Sequence, residues 1–235
     1  MSEIVDEGVA LRAKGIRRVY HSGAEELEVL KGIDLEVRRG EVLAITGSSG
    51  AGKSTLLQIL GTLDRPTAGD IEICDTDVIL LQGDELADFR NRHIGFIFQF
   101  HNLLPEFTAL ENVLLPTMIR SGLGKAETRR MEEKASDFLH RVGLGERLSH
   151  RPGQLSGGEC QRVAVVRALI MSPQLVLADE PSGNLDAGAS ELLHDIITEL
   201  ARSENQTFLI MTHDQTLAAS FDRSGYLDGG TMHLN

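Results

Sequence analysis

Cysteine is scarce in this chain of 235 residues: Cys74 and Cys160 are the two present, and no metal-ligand motif surrounds either. Neither a disulfide framework nor a zinc site is indicated, and a reducing cytoplasm fits. Basic residues are in deficit, 23 Lys and Arg against 35 Asp and Glu, for a formal net charge of −12. A nucleic-acid partner normally demands a basic face, so no nucleic acid is expected as partner. No apolar run approaches the roughly 20 residues of a spanning helix, so any membrane role is expected to come through another protein. The stretch MSEIVDEGVALRAKG is acidic and lacks the apolar centre of a signal peptide. Internal repeats and low-complexity tracts are also missing, which leaves one unit rather than a tandem pair. What remains is ordinary for a globular chain, 41% hydrophobic and 25% charged, and long enough for one substantial α/β domain with its own core.

Against that plain background, ITGSSGAGKSTLLQIL (Ile45 to Leu60) stands out. Gly47, four residues, then Gly52, Lys53 and Ser54 fit the P-loop pattern: backbone N–H groups converge on phosphates, the lysine reaches the β and γ phosphates, and the serine hydroxyl binds Mg²⁺. EVLAIT ahead of it reads as a buried strand, and KSTLLQIL behind it as the start of an amphipathic helix. A bound nucleoside triphosphate is the implication.

Gly8 to Val37 reads as antiparallel strands and GDIEICD as another. IGFIFQ, Ile94 to Gln99, is a short buried strand. Met131, Ala135, Phe138 and Val142 recur at helical spacing in Thr128 to Val142, where a packed amphipathic helix suffices as explanation. Residues 90–161 are accordingly expected to form a mainly helical insertion. Afterwards β/α alternation returns: a helix over Gly158 to Met171, the strand QLVLAD, a helix over Ala189 to Ser203, the strand TFLIMT, and a last helix and strand.

PQLVLADEPSGNLD ends a buried strand in two adjacent carboxylates. Beside a P-loop strand, Asp179 is placed to hold Mg²⁺ and Glu180 to polarise a water; neighbours in a strand point oppositely, so the two would do different jobs. LSGGECQR opens a second helix with a second glycine pair. Ser156, Gly157 and Gly158 there form another anion site, which suggests contact with a nucleotide held by a different subunit.

The P-loop, Gln99 after a strand, LSGGE, LVLADEP, NLD and MTHD occur in the order and spacing of ABC-transporter ATPase subunits, from Tyr20 to His213. The chain resembles that family and, within it, the LolD and MacB branch of lipoprotein-releasing and related mechanotransmission ATPases. FIFQFHNLLPEFTALENVLLP and ADEPSGNLD are most similar to the LolD side.

The resemblance implies an α/β fold: a P-loop NTPase, RecA-like core (residues 8–89 and 162–235) with an N-terminal antiparallel β subdomain and a helical subdomain (residues 90–161) carrying the signature motif. It implies an ATPase using ATP and Mg²⁺, a homodimer, and LolC/LolE-like integral membrane transporter subunits as partners at the cytoplasmic face of the inner membrane. Gly47, Ser48, Ser49, Gly50, Ala51, Gly52, Lys53 and Thr55 would cradle phosphates, Ser54 and Gln99 would ligate Mg²⁺ with Asp179 in support, and Gln99 would sense the partner. Glu180 would be the general base, and His213 would contact the γ-phosphate. Ser156, Gly157 and Gly158 would complete the opposing subunit's site, with Asp186 linking the two sites, and Tyr20 would stack on adenine. MacB-like efflux and FtsE-like cell-division ATPases remain alternatives. A non-transport ABC protein acting on DNA or ribosomes fits less well, since too few residues separate Gln99 from Leu155 for a long coiled coil. Two positions depart from the family pattern: Cys160 stands where Gln or Arg is usual, and Ser182 where Thr is common. Apolar residues from Phe100 to Pro116, with Pro105 and Pro116 expected to restrict regular helix, are the expected docking segment.

Overall fold

Apolar strands recur along the chain, and in the computed structural model, which describes residues 8–23, 25–119 and 124–234, they sort into two sheets. The acidic opening stretch, residues 1–7, lies outside the described residues. In chain order the elements are β1 (Val9–Ser22), β2 (Glu25–Arg38), β3 (Val42–Thr46), α1 (Lys53–Leu60), β4 (Ala68–Ile73), β5 (Thr76–Asp77), α2 (Gly83–His93), β6 (Ile94–Ile97), α3 (Ala109–Ile119), α4 (Lys125–Arg141), α5 (Gly157–Leu169), β7 (Leu175–Asp179), α6 (Ala187–Ser203), β8 (Thr207–Thr212), α7 (Gln215–Ala218), β9 (Arg223–Asp228) and β10 (Thr231–Leu234). An antiparallel sheet has the order β2-β1-β4-β5, and the second sheet the order β10-β9-β3-β8-β7-β6. The second is parallel except for β10.

Strands β3 and β8 are buried at every position, and β7 at all but its last, because both faces of the parallel sheet are covered. Leu43, Ile45, Leu177, Leu209 and Met211 pack toward α1 and the antiparallel sheet. Their alternating neighbours Val176, Ala178, Phe208 and Ile210 pack with residues of α3, α4, α5 and α6. The register sets Thr46 opposite Thr212, and Asp179 opposite Met211. Three strands therefore end together at one edge of the sheet, where ligands of open α/β folds bind.

Some expectations shift. β6 pairs with β7 inside the parallel sheet, so the chain leaves the sheet after Ile97, within the range 90–161. Pro116 lies inside α3 rather than breaking it. Its missing N–H would have served the carbonyl of Asn112, a loss confined to the helix's last turn, and burial of Ala109, Val113 and Leu114 outweighs it. The chain closes with a single helical turn and a hairpin, not with one helix and one strand. Gly229 and Gly230, at φ +50 and +85, form its tight turn, and the Gly230 carbonyl accepts the Lys31 N–H at 2.9 Å, which joins the hairpin to β2.

Asn112 is fully buried in α3. Its Oδ1 accepts the Leu104 N–H at 2.8 Å, and its Nδ2 donates to the carbonyls of Leu104 (3.1 Å), Phe107 (3.1 Å) and Thr108 (3.0 Å). One side chain thus holds the irregular segment that leads into the helix.

Candidate functional site

The loop between β3 and α1 is built around close approaches. A Cβ on Gly47 would lie 2.5 Å from the Leu227 carbonyl oxygen in β9, so no larger residue fits. Gly52 precedes α1 at φ +103, and no side chain caps that helix, leaving its first N–H groups for another partner. Val29 and Leu30 of β2 press on Gly52 from the other side. Ala51 is buried in the core and anchors the loop, its N–H donating to the Ser48 carbonyl at 3.2 Å.

An open cleft of about 480 Å³ lies over this loop, lined by Ser49, Gly50, Gly52, Lys53, Ser54 and Thr55 together with Val29, Gln99, Glu180 and His213. Lys53 is buried, and its Nζ donates to the carbonyls of Gly47 (2.8 Å) and Ser48 (3.2 Å). The same ammonium is 3.6 Å from Oε1 of Glu180. Oε2 of Glu180 hydrogen-bonds Nδ1 of His213, which follows the end of β8. One carboxylate thus lies between the loop lysine and an exposed imidazole.

Strand β7 ends at Asp179, one residue earlier than two carboxylates in a strand would require. Glu180 is left-handed at φ +47, with its N–H bonded to the Met211 carbonyl (2.8 Å) and its carbonyl accepting the Gly183 N–H (3.0 Å). That backbone is costly for a side chain other than glycine's, and such strain gathers at functional sites. Here it turns Glu180 out of the sheet plane. Asp179 keeps its Oδ1 buried with no hydrogen-bond partner. Burial pushes its carboxyl pKa up, the Ser54 hydroxyl bonded to it pulls it down, Glu180 raises it and Lys53 lowers it.

Gln99 follows β6 and lines the cleft. Its Nε2 donates to Oδ1 of Asn184 at 3.4 Å, and Nδ2 of Asn184 donates to the Gln99 carbonyl at 3.1 Å. Behind it, Nε2 of Gln161 in α5 holds the Phe98 carbonyl at 2.9 Å. Arg167, also in α5, donates to the carbonyls of His101 and Asn102, both at 2.7 Å.

The remaining expected residues stand apart from this cleft. Ser156 caps α5: its Oγ accepts the Glu159 N–H at 3.2 Å, and Glu159 accepts the Ser156 N–H at 2.7 Å. Asp186 caps α6 through the Ala189 N–H at 2.9 Å. A Cβ on Gly158 would meet Ala189 at 3.2 Å, so the starts of α5 and α6 lie side by side, with Gly157 near Leu185. Tyr20 sits on β1 with its ring partly exposed, its hydroxyl 3.3 Å from Asp64 and the Arg18 guanidinium 4.5 Å above the ring. Cys160 is buried and its thiol pKa is raised by burial and by Glu159, so it behaves as a small apolar residue. Sequence reasoning missed Val29 and Asn184. Nothing in the pattern of β2 marks Val29, whereas the polar residue inside SGNLD could have drawn attention to Asn184.

A second depression, of about 500 Å³, is lined mainly by apolar residues including Phe96, Phe98, Leu115, Pro116, Ile119 and Met171, with Ile119 exposed. The expected docking segment contributes only in part. Leu103 is buried in the core, and Leu104 and Phe107 are not among the residues lining the depression. Among the described residues no helix is long and apolar enough to cross a membrane.

A P-loop cradle, a carboxylate between a lysine and a histidine, and a second carboxylate with an unpartnered oxygen suit phosphoryl transfer to water. The family model described as ABC transporter matches residues 30–183. The chain is 52% identical to the lipoprotein-releasing system ATP-binding protein LolD of Cytophaga hutchinsonii, and 50% identical to that of Porphyromonas gingivalis. Each alignment covers 94% of this chain and 98% of the relative. A solved dimeric ATP-binding cassette in a post-hydrolysis state, bound to ADP and Pi, matches with a TM-score of 0.84 at 38% identity, covering 94% of this chain and 95% of that one.

Proposed function

The chain belongs to the ABC transporter family as an ATP-hydrolysing cassette, and from that premise we propose that it powers lipoprotein release from the inner membrane. Its similarity to LolD proteins, 50% and 52% identity over 94% of the chain, supports the cargo. The observation that carries the chemistry is Glu180 set between Lys53 and His213 at the mouth of the P-loop cleft.

In this reading Lys53 and the loop N–H groups bind the β and γ phosphates of ATP. Glu180 accepts the proton of the attacking water, and the His213 imidazole, which touches the same carboxylate, orients it and contacts the γ-phosphate. Mg²⁺ fits the residues present: Ser54 and Gln99 would ligate it with Asp179 in support, and it would offset charge on the β and γ oxygens. The fit rests on Asp179, whose buried Oδ1 lacks a partner that an ion's water would supply. Tyr20 would stack on adenine once the Arg18 guanidinium shifts aside. Ser156, Gly157 and Gly158 would face the nucleotide of a second copy, with Asp186 between the two sites. The apolar depression beside α3 would take a cytoplasmic helix of LolC/LolE-like membrane subunits, holding the chain at the cytoplasmic face of the membrane.

The test is reconstitution with those membrane subunits in proteoliposomes carrying a lipoprotein. Wild-type protein is expected to release it in the presence of ATP and Mg²⁺. Glu180→Gln is expected to bind ATP, accumulate as a closed dimer and release none; turnover near wild type by that variant would refute the assignment.

A further inference from the structure

We infer that Asn184 decides which end of the Gln99 side-chain amide faces the nucleotide cleft, and so sets the strength of the metal site. This rests on the reading of Gln99 as a metal ligand. Both polar atoms of the Asn184 carboxamide are engaged by one residue: Nδ2 donates to the Gln99 main-chain carbonyl at 3.1 Å, and Oδ1 receives the Gln99 Nε2 at 3.4 Å.

An amide carries its donors on one side and its acceptor on the other. With Nε2 turned to Asn184, Oε1 is the atom left for the cleft that Gln99 lines. A hard cation takes oxygen and rejects an amide N–H₂, so the orientation that Asn184 enforces is the one a divalent ion requires. The neighbouring residue supports the same placement. A Cβ on Gly183 would stand 3.1 Å from Gln99 Nε2 and 3.4 Å from its Cγ, so the glycine leaves the space in which the side chain lies. Asn184 touches no reacting atom. It is a positioning residue that acts through Gln99.

The test separates positioning of the side chain from support of the main chain. Mn²⁺ affinity of the full-length protein saturated with ATPγS is measured by electron paramagnetic resonance for wild type, Gln99→Ala, Asn184→Ala and the double variant. Metal-free nucleotide binding checks folding, and Asn184→Ser replaces Asn184→Ala if that variant fails the check. Each single substitution is expected to weaken Mn²⁺ by about tenfold, the lower end for a partner that orients a ligand. The double variant is expected to be no weaker than Gln99→Ala alone. The bond from Asn184 to the Gln99 carbonyl survives in Gln99→Ala, so a merely structural role predicts a further loss in the double variant. Such additivity, or unchanged Mn²⁺ affinity in Asn184→Ala beside a weakened Gln99→Ala, overturns the inference while leaving Gln99 a ligand. Unchanged affinity in Gln99→Ala overturns the ligand reading itself.

Discussion

Asn112 touches neither cleft nor groove, yet it satisfies four backbone groups of the segment between Leu104 and Thr108. Asn112→Ala deprives the Leu104 N–H and the Phe107 carbonyl of this partner, while the carbonyls of Leu104 and Thr108 keep the backbone N–H groups of Phe107 and residue 112, and a loss of roughly 1–2 kcal/mol in denaturant unfolding is expected. Hydrogen exchange at the Leu104 amide should quicken in the same variant, and an unchanged rate there would show that the bracket is dispensable. The residue was hidden in the sequence for a physical reason. A polar side chain in a helical stretch reads as solvated, and its partners lie in a loop that has no period to read. For Asn184 the motif SGNLD marked the place but not the partner, because a hydrogen bond across distant loops leaves no spacing. By contrast the placement of Lys53, Ser54, Asp179 and Glu180 was legible, since glycines and strand ends in a fixed local order position each of them, whereas His213 stood out only through the family resemblance. The left-handed backbone of Glu180 was not legible, because a strand pattern cannot show where the strand stops.

Helix α5 begins with a reciprocal pair, Ser156 and Glu159, that answers its free N–H groups. Its carboxylate accepts the Ser156 backbone N–H and is also bonded by Arg147, and these hold the Glu159 pKa below its usual 4.5. A depressed acid contributes stability that is complete above the unfolded pKa and fades as pH falls through the folded one. Gln keeps the capping hydrogen bond and loses only the charge at the helix start, so wild type should exceed Glu159→Gln in stability by about 0.5 kcal/mol at pH 7, and the gap should shrink as pH drops below about 4.5. Thermal melts of both proteins at several pH values measure it; a constant gap would assign the effect to packing. Other elements were legible to differing degrees. β3, β7 and β8 announce themselves as unbroken apolar runs because both faces are covered, and α4 through its regular apolar spacing. The terminal hairpin did not, since β10 is short and mostly exposed, and its Gly-Gly turn was the sole cue.

Two copies of the chain, arranged head to tail as proposed, would each lend the starts of α5 and α6 to the other's nucleotide. Ser156→Arg and Lys53→Ala then spoil different halves of one composite site. Each homodimer should be inactive, whereas a mixed dimer concentrates both lesions in one site and leaves the other whole, giving about half the wild-type turnover if the sites act independently. ATPase assays on purified heterodimers decide it, and inactivity would count against the exchange between subunits. Within a single copy, the middle position of β3 has a consequence in time. The strand that leads into the P-loop is flanked by β8 and β9, and the Val42 N–H is held by Asp222, 180 positions later. A ribosome therefore completes the P-loop long before it has made either flank. Non-local strand pairing is slow, and domains fold as units once their last segments emerge. Grip on a nucleotide is thus acquired only once β8 and β9 have been made: a chain stopped before them, even with every P-loop glycine in place, has an unpaired strand where the folded domain has a binding site.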